Sequence, residues 1–508
     1  IDHLYWSGGT ITGSGTLVTP VSGTAQLFED TDKTLQNKTW QNSGTINLAE
    51  GALVLRGVDL ANTTNIPTQN APQLQNLAGG VINVSGRTRN SPISILGYSS
   101  SEKFGVLGNS QLINNQGASI NWSASSYGTG ATAIYMSSNL GSSIFANAGT
   151  VNVNESLSLV NAANSANIFD VGSYNVADGK TLSIFGGSRT LGSGSITGAG
   201  ALSIDAGTLT VNGDLSVASS GSIAINGGTL NLNTGATNPI ALANTLTISS
   251  GTLNATDSII APSLSWGGGA ITGSGTLITP SGGTAQLFGS GQKLLQNKTW
   301  QNSGTINLTD GQLFFNGYDP AANIYPSYTA PTQYAPQLQN LAGGVINVST
   351  RDQYDPIWCN AYAFSSVIGN SRLINYQGAT INWNSSYYGA DTTSIRSLNG
   401  GLTFDSAGIL NVNANLRLSG SNSQDSSDSG YYNIATGTTL SIAGSRTLAS
   451  TGSFTGTGTL SVDSGTLTVN GNLDLATTGS IAINGGTLNL NTGATNPISL
   501  ANTLTISS

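Results

Sequence analysis

Apolar and polar residues alternate along most of this chain in groups of four, separated by links of about three. From Ala201 it reads ALSI-DAG-TLTV-NGD-LSV-ASSG-SIAI-NGG-TLNL, with tetrads starting near residues 201, 208, 215, 222 and 229, a step of seven. The same run recurs at 459, 466, 473, 480 and 487. Alternation with period two marks a strand with one buried face. The links hold Gly, Asn, Asp or Ser, which accept the left-handed backbone of a sharp bend. Three tetrads and their links make roughly 21 residues, one turn of a three-sided β-helix, with successive turns about 4.8 Å apart by parallel pairing. The expected fold is all-β: a right-handed parallel β-helix, or three-sided β-solenoid, with long loop insertions. Backbone groups then pair with the coils above and below, so cohesion is expected to need no charged side chains. No segment carries apolar residues at helical spacing with a cap, which excludes a Rossmann or α/β-barrel enzyme.

A longer period overlies the short one, and such periods decide repeat folds. WSGGTITGSGTLVTP begins at Trp6 and WGGGAITGSGTLITP at Trp266, an offset of 260. APQLQNLAGGVINVS begins at Ala71 and again at Ala335, an offset of 264. Insertions therefore sit in loops between constant elements. Two continuous modules are expected, residues 1–258 and 259–508. The second copy stops at Ser508, equivalent to Ser250, so the pattern is expected to continue in further copies.

WQNSGTINL at Trp40, LQNLAGGVINV at Leu74, LINNQGASINW at Leu112 and FANAGTVNV at Phe145 share one layout, an Asn at a bend and then a strand. Asn42, Asn76, Asn114 and Asn147 are expected to stack as an internal amide ladder. The motif (I/F)TG(S/A/T)G(T/A)L occurs at Ile11, Ile196, Ile271 and Phe454. Its glycines lack the spacing of a phosphate-binding loop and read as bends.

Composition sharpens this picture. Of 508 residues, 15 are basic and 23 acidic, so only 7% are charged, and Gly numbers 67. With 38% hydrophobic residues and a net charge of −8, disorder is not expected. Basic residues are scattered, which argues against nucleic acid as a partner. No run of apolar residues reaches membrane-spanning length, so membrane insertion is not expected. The single cysteine, Cys359, precludes an internal disulfide and reads as a buried apolar residue; the single histidine, His3, reads as a surface residue.

The GTLxV and NxGTIN strings, the Gly/Asn/Ser/Thr bias and the large near-identical modules resemble the haemagglutinin-like β-helical repeat regions of large secreted bacterial adhesins and autotransporter passengers. The resemblance covers the whole chain. It implies export, an extracellular or cell-surface location, and a fibrous stalk serving attachment or assembly. It carries over no site residues.

Function is therefore expected to be structural or adhesive, with no enzyme activity and no cofactor or metal. The partners are expected to be further copies of the same module, stacked head to tail or in tandem, and a surface glycan or a protein of a host or neighbouring cell. The alternative is ligand recognition by loops. Eleven of the sixteen tyrosines lie in the second copy, and Tyr318, Tyr325, Tyr328, Tyr334, Tyr354, Tyr387 and Tyr388 are the candidate contacts for a sugar or protein. The less favoured reading is polysaccharide cleavage, which needs two facing carboxylates. Its candidates are Asp30 and Asp32, Asp352 and Asp355, and Asp425 and Asp428, the last two read as part of a solvated loop.

Overall fold

The computed structural model describes residues 1–57, 71–86, 90–96, 110–126, 131–137, 142–162, 167–217, 221–242, 245–317, 335–351, 355–360, 371–387, 392–398, 402–420, 426–475, 478–491 and 503–507. Among them every regular element is a β-strand. The chain divides into two compact units, Ile1–Ala236 with Leu242–Asn244, and Thr237–Ala241 with Thr245–Ser508.

In unit 1 strands pair in parallel, three places along in the first coils and two places along from Ser173–Val176 onward, where one long strand covers two sides of the coil. His3–Trp6, Thr24–Leu27, Thr45–Leu48, Val81–Val84, Ser119–Trp122, Thr150–Val153, Ser173–Val176, Ser195–Gly198 and Asp214–Val217 form one nine-stranded sheet. A second sheet stacks Thr16–Thr19, Thr39–Asn42, Gln73–Asn76, Ser110–Asn114 and Ser143–Asn147. A third begins with Gly9–Thr12, Asp32–Gln36, Ala52–Arg56 and Ile93–Leu96. Unit 2 repeats this order, with Thr284–Leu287, Thr305–Leu308 and Val345–Val348 in register in its counterpart of the first sheet. The fold is thus an all-β, parallel, solenoid-like stack.

Loop length does not disturb register. Thr45 pairs with Thr24, 21 residues earlier, and with Val81, 36 residues later. The strands follow the tetrads because alternate residues must face a dry interior. In Thr45–Leu48 the pattern is half-buried then buried twice, with Ile46 and Leu48 at 1% exposure or less. Ile46, Ile82, Ile120, Val151 and Tyr174 stack in one column by direct pairing. Each fully buried side chain contributes roughly 1.5–3 kcal/mol.

The bends work as the spacing suggests. The first glycine of the motif, Gly13, Gly198, Gly273 and Gly456, has φ between 100° and 112° in all four copies, a conformation that disfavours any other residue. A second class of glycine serves proximity. A Cβ on Gly172, Gly194 or Gly213 would overlap a carbonyl oxygen of the coil beneath. One bend departs from the rule. Glu29 has φ 63°, where the second copy has Gly289 at φ 68°. Left-handed backbone costs a side-chain-bearing residue about 1–2 kcal/mol, against about 0.5–1 kcal/mol for glycine's extra chain entropy. Glu29→Gly is therefore expected to stabilise unit 1 by about 0.5–1 kcal/mol in denaturant unfolding. The carbonyl of residue 29 accepts a hydrogen bond from Lys33 as that of Gly289 does from Lys293, so this contact survives.

Candidate functional site

In both units a row of buried polar side chains runs through the interior along the corner that follows the second sheet. Parallel stacking puts Asn42, Asn76, Asn114 and Asn147 directly above one another. Each Nδ2 donates to the next Oδ1: Asn42 to Asn76 at 2.8 Å, Asn76 to Asn114 at 2.9 Å and Asn114 to Asn147 at 2.8 Å. Each also donates to a backbone carbonyl in the following coil, as Asn76 does to Ser119 at 2.9 Å. The ladder expected from sequence is present. Unit 2 repeats it through Asn302, Asn340 and Asn375, then passes to Ser406.

Beyond the last rung lies a cluster that sequence reasoning missed. The Asn147 backbone N–H donates to Asp170 Oδ1 at 2.8 Å. Asp170 Oδ2 accepts from Tyr174 Oη at 2.9 Å and from Arg189 Nη1. Arg189 also donates to Tyr174 Oη at 3.2 Å and to the Phe145 carbonyl at 3.2 Å, with its guanidinium carbon 5.6 Å from the Phe145 ring centre. The second copy is Asp428, Tyr432, Arg446 and Phe404. Asp170 and Asp428 are 0% exposed. This corrects two expectations. Asp428 is not in a solvated loop but half of a buried ion pair, and cohesion does use charged side chains. Burial, reinforced by the adjacent carboxylates, pushes the Tyr174 and Tyr432 hydroxyls well above the usual tyrosine range. Burial is the largest influence on Arg189 and Arg446 and works against their charge, but the facing aspartate and tyrosine, through charge and hydrogen bonds together, leave both guanidinium pKa values raised.

Among the described residues three lysines are also buried. Lys33 donates to the carbonyls of Glu29 and Glu50, and Lys293 to those of Gly289 and Asp310. Lys298 donates to the Ala255 carbonyl at 2.8 Å. Its burial, only partly opposed by Asp257, lowers its pKa to about 8. The folded chain then releases this proton near pH 8, whereas an ordinary lysine holds it to about 10.5. In that window the unfolded state binds more protons, so stability rises with pH. Between pH 8 and 10 the gain is expected to be about 2–3 kcal/mol. Above pH 10 the buried tyrosines act in the opposite direction. Denaturant unfolding across that range, compared with Lys298→Met, isolates the contribution, because the variant lacks the Lys298 part of the rise.

A second amide row runs on the outer face of the first sheet, where the residue before the last of each TINL-type strand recurs. Asn83 donates to Asn47, Asn121 to Asn83 and Asn152 to Asn121, at 2.8, 2.8 and 2.9 Å. The repeated Asn of TINL, VINV, SINW and TVNV was the available signal.

Of the seven candidate tyrosines, Tyr318, Tyr325, Tyr328, Tyr334, Tyr354 and Tyr388 lie outside the described residues. Tyr387 is described and is 37% exposed. Trp358 packs on Phe314 with ring centres 4.5 Å apart, and Cys359 is fully buried, its thiol pushed up to about 11 by burial. Among the carboxylate candidates, Asp355 pairs with Arg396 at 2.7 Å and accepts a hydrogen bond from Ser394. Asp30 and Asp32 are exposed beside the buried Lys33, and Asp352 and Asp425 lie outside the described residues. His3 is exposed.

No known protein family and no curated protein matches this chain.

Proposed function

We propose that the chain is a non-enzymatic structural or adhesive protein of the cell surface, a stalk or filament module wound as a right-handed, three-sided β-solenoid. The observation that carries this reading is the use made of the polar interior. In each copy the amide ladder and the Asp–Tyr–Arg cluster are buried and bond from coil to coil, so these polar side chains serve cohesion. Electron microscopy tests the reading: thin rods or filaments are expected, and compact particles at every concentration would end it.

A second reading, glycan or protein recognition by the second module, is favoured by a difference between the copies. Tyr376, Tyr387 and Tyr431 are 39%, 37% and 54% exposed, where the first copy has Asn115, Ser126 and Ser173. Exposed aromatic faces beside amides suit sugars. A glycan array with Tyr376, Tyr387 and Tyr431 replaced by the Asn, Ser and Ser of the first copy distinguishes the two, since a pure scaffold is indifferent to the change.

A further inference from the structure

The two Asp–Tyr–Arg clusters share their contacts but not their surroundings. In unit 1 the paired residues Met136 and Asn161 are 1% and 7% exposed. By alignment of TAIYMS with TSIRSL and of LSLVN with LRLSG, unit 2 has Ser397 and Gly420 there. Two larger side chains are replaced by a hydroxymethyl group and a hydrogen. A pocket of about 20 Å³ lies there, open to solvent on the side of Gly420, with Ser397, Phe404, Leu418, Gly420 and Arg446 in its lining.

Arg446 is 7% exposed and directs three N–H groups at Asp428, Tyr432 and the Phe404 carbonyl. A guanidinium has five donors. The Ser397 hydroxyl oxygen accepts from the Leu402 N–H at 3.0 Å and retains its own proton as a donor. A cavity holds a water when it offers at least about 10–15 Å³ and two to four polar partners. We propose that this cavity is a specific site for one water molecule, held by the Arg446 guanidinium and the Ser397 hydroxyl. A neutral occupant fits because Asp428 already balances the Arg446 charge. The duplication has thus diverged from a side-chain plug in unit 1 to a solvent plug in unit 2. This does not depend on the function proposed above.

The test is a high-resolution crystal structure of the whole chain and of two variants. Ser397→Met restores the residue of the first copy. Gly420→Asn adds a side chain where a Cβ meets nothing within 4 Å, so this variant folds even if the first does not. A density peak within hydrogen-bond distance of Arg446 and Ser397 is expected at full occupancy in the parent and lost in both variants. An empty cavity in the parent, a peak that persists in Ser397→Met, or an anomalous signal at the site after bromide soaking would each overturn the proposal.

Discussion

Arg446→Met is expected to destabilise unit 2 by about 3–5 kcal/mol, because it leaves Asp428 charged, fully buried and without its counter-ion. Hydrogen exchange at the strands around Asp428, or denaturant unfolding, reads the effect. Amides of unit 1 should keep their protection, since in a stacked repeat each coil depends mainly on its neighbours. Adding Asp428→Leu should recover part of the loss, because it removes the unpaired charge but leaves the Ser406 N–H and the Phe404 carbonyl without partners. The exposed pair Arg372–Asp405 is the control. Its arginine side chain is 45% exposed, and its removal is expected to cost at most about 1 kcal/mol. A loss below about 1 kcal/mol for Arg446→Met would show that the cluster does not hold the coils together.

Asn76→Ala carries the second large effect. It removes an acceptor from Asn42 and a donor from Asn114, both buried, and frees the carbonyl of Ser119. Each buried group left unsatisfied costs about 1–3 kcal/mol, so a total of about 2–5 kcal/mol is expected in thermal or denaturant unfolding. Asn76→Asp should not rescue it, because the carboxylate keeps the acceptor but loses the donor to Asn114 and adds a buried charge. Asn47→Ala interrupts the half-buried outer row, where water replaces the lost bond, and is expected to stay within about 0.5 kcal/mol of the parent. Equal losses at the two sites would mean that the ladder stabilises no more than its surface counterpart.

The parts that were legible from the sequence share one property: they repeat at a constant place. The tetrads announced the strands because burial on one face imposes a period of two. The inner ladder was legible because Asn42, Asn76, Asn114 and Asn147 recur at the same corner of successive coils. The Asp428–Arg446–Tyr432 cluster was not. Its aspartate lies in SNSQDSSDSG, whose composition is that of a surface loop, and its arginine comes 18 residues later in another strand. Nothing local distinguishes a polar residue that faces solvent from one that faces a partner one coil away. The cavity beside Arg446 was hidden for the same reason, since it arises where substitutions on two different strands meet.

Two identical strings separate these contributions most clearly. LQNKTWQNSGTINL occurs at Leu35 and at Leu295. In both copies the residues by themselves determine the same strands, while the same Trp–Thr hydrogen bond at 2.9 Å and the same first rung of the ladder recur because their partners in neighbouring coils, Thr19 and Thr279, Asn76 and Asn340, are repeated too. The fate of the lysine is another matter. Lys38 is half-buried, whereas Lys298 is sealed against the Ala255 carbonyl near Asp257 and loses its proton near pH 8. Alternation and turn chemistry act through covalent neighbours and are written in the chain. Dielectric surroundings and hydrogen-bond partners come from residues about 40 positions away, and only the stacking of coils brings them together.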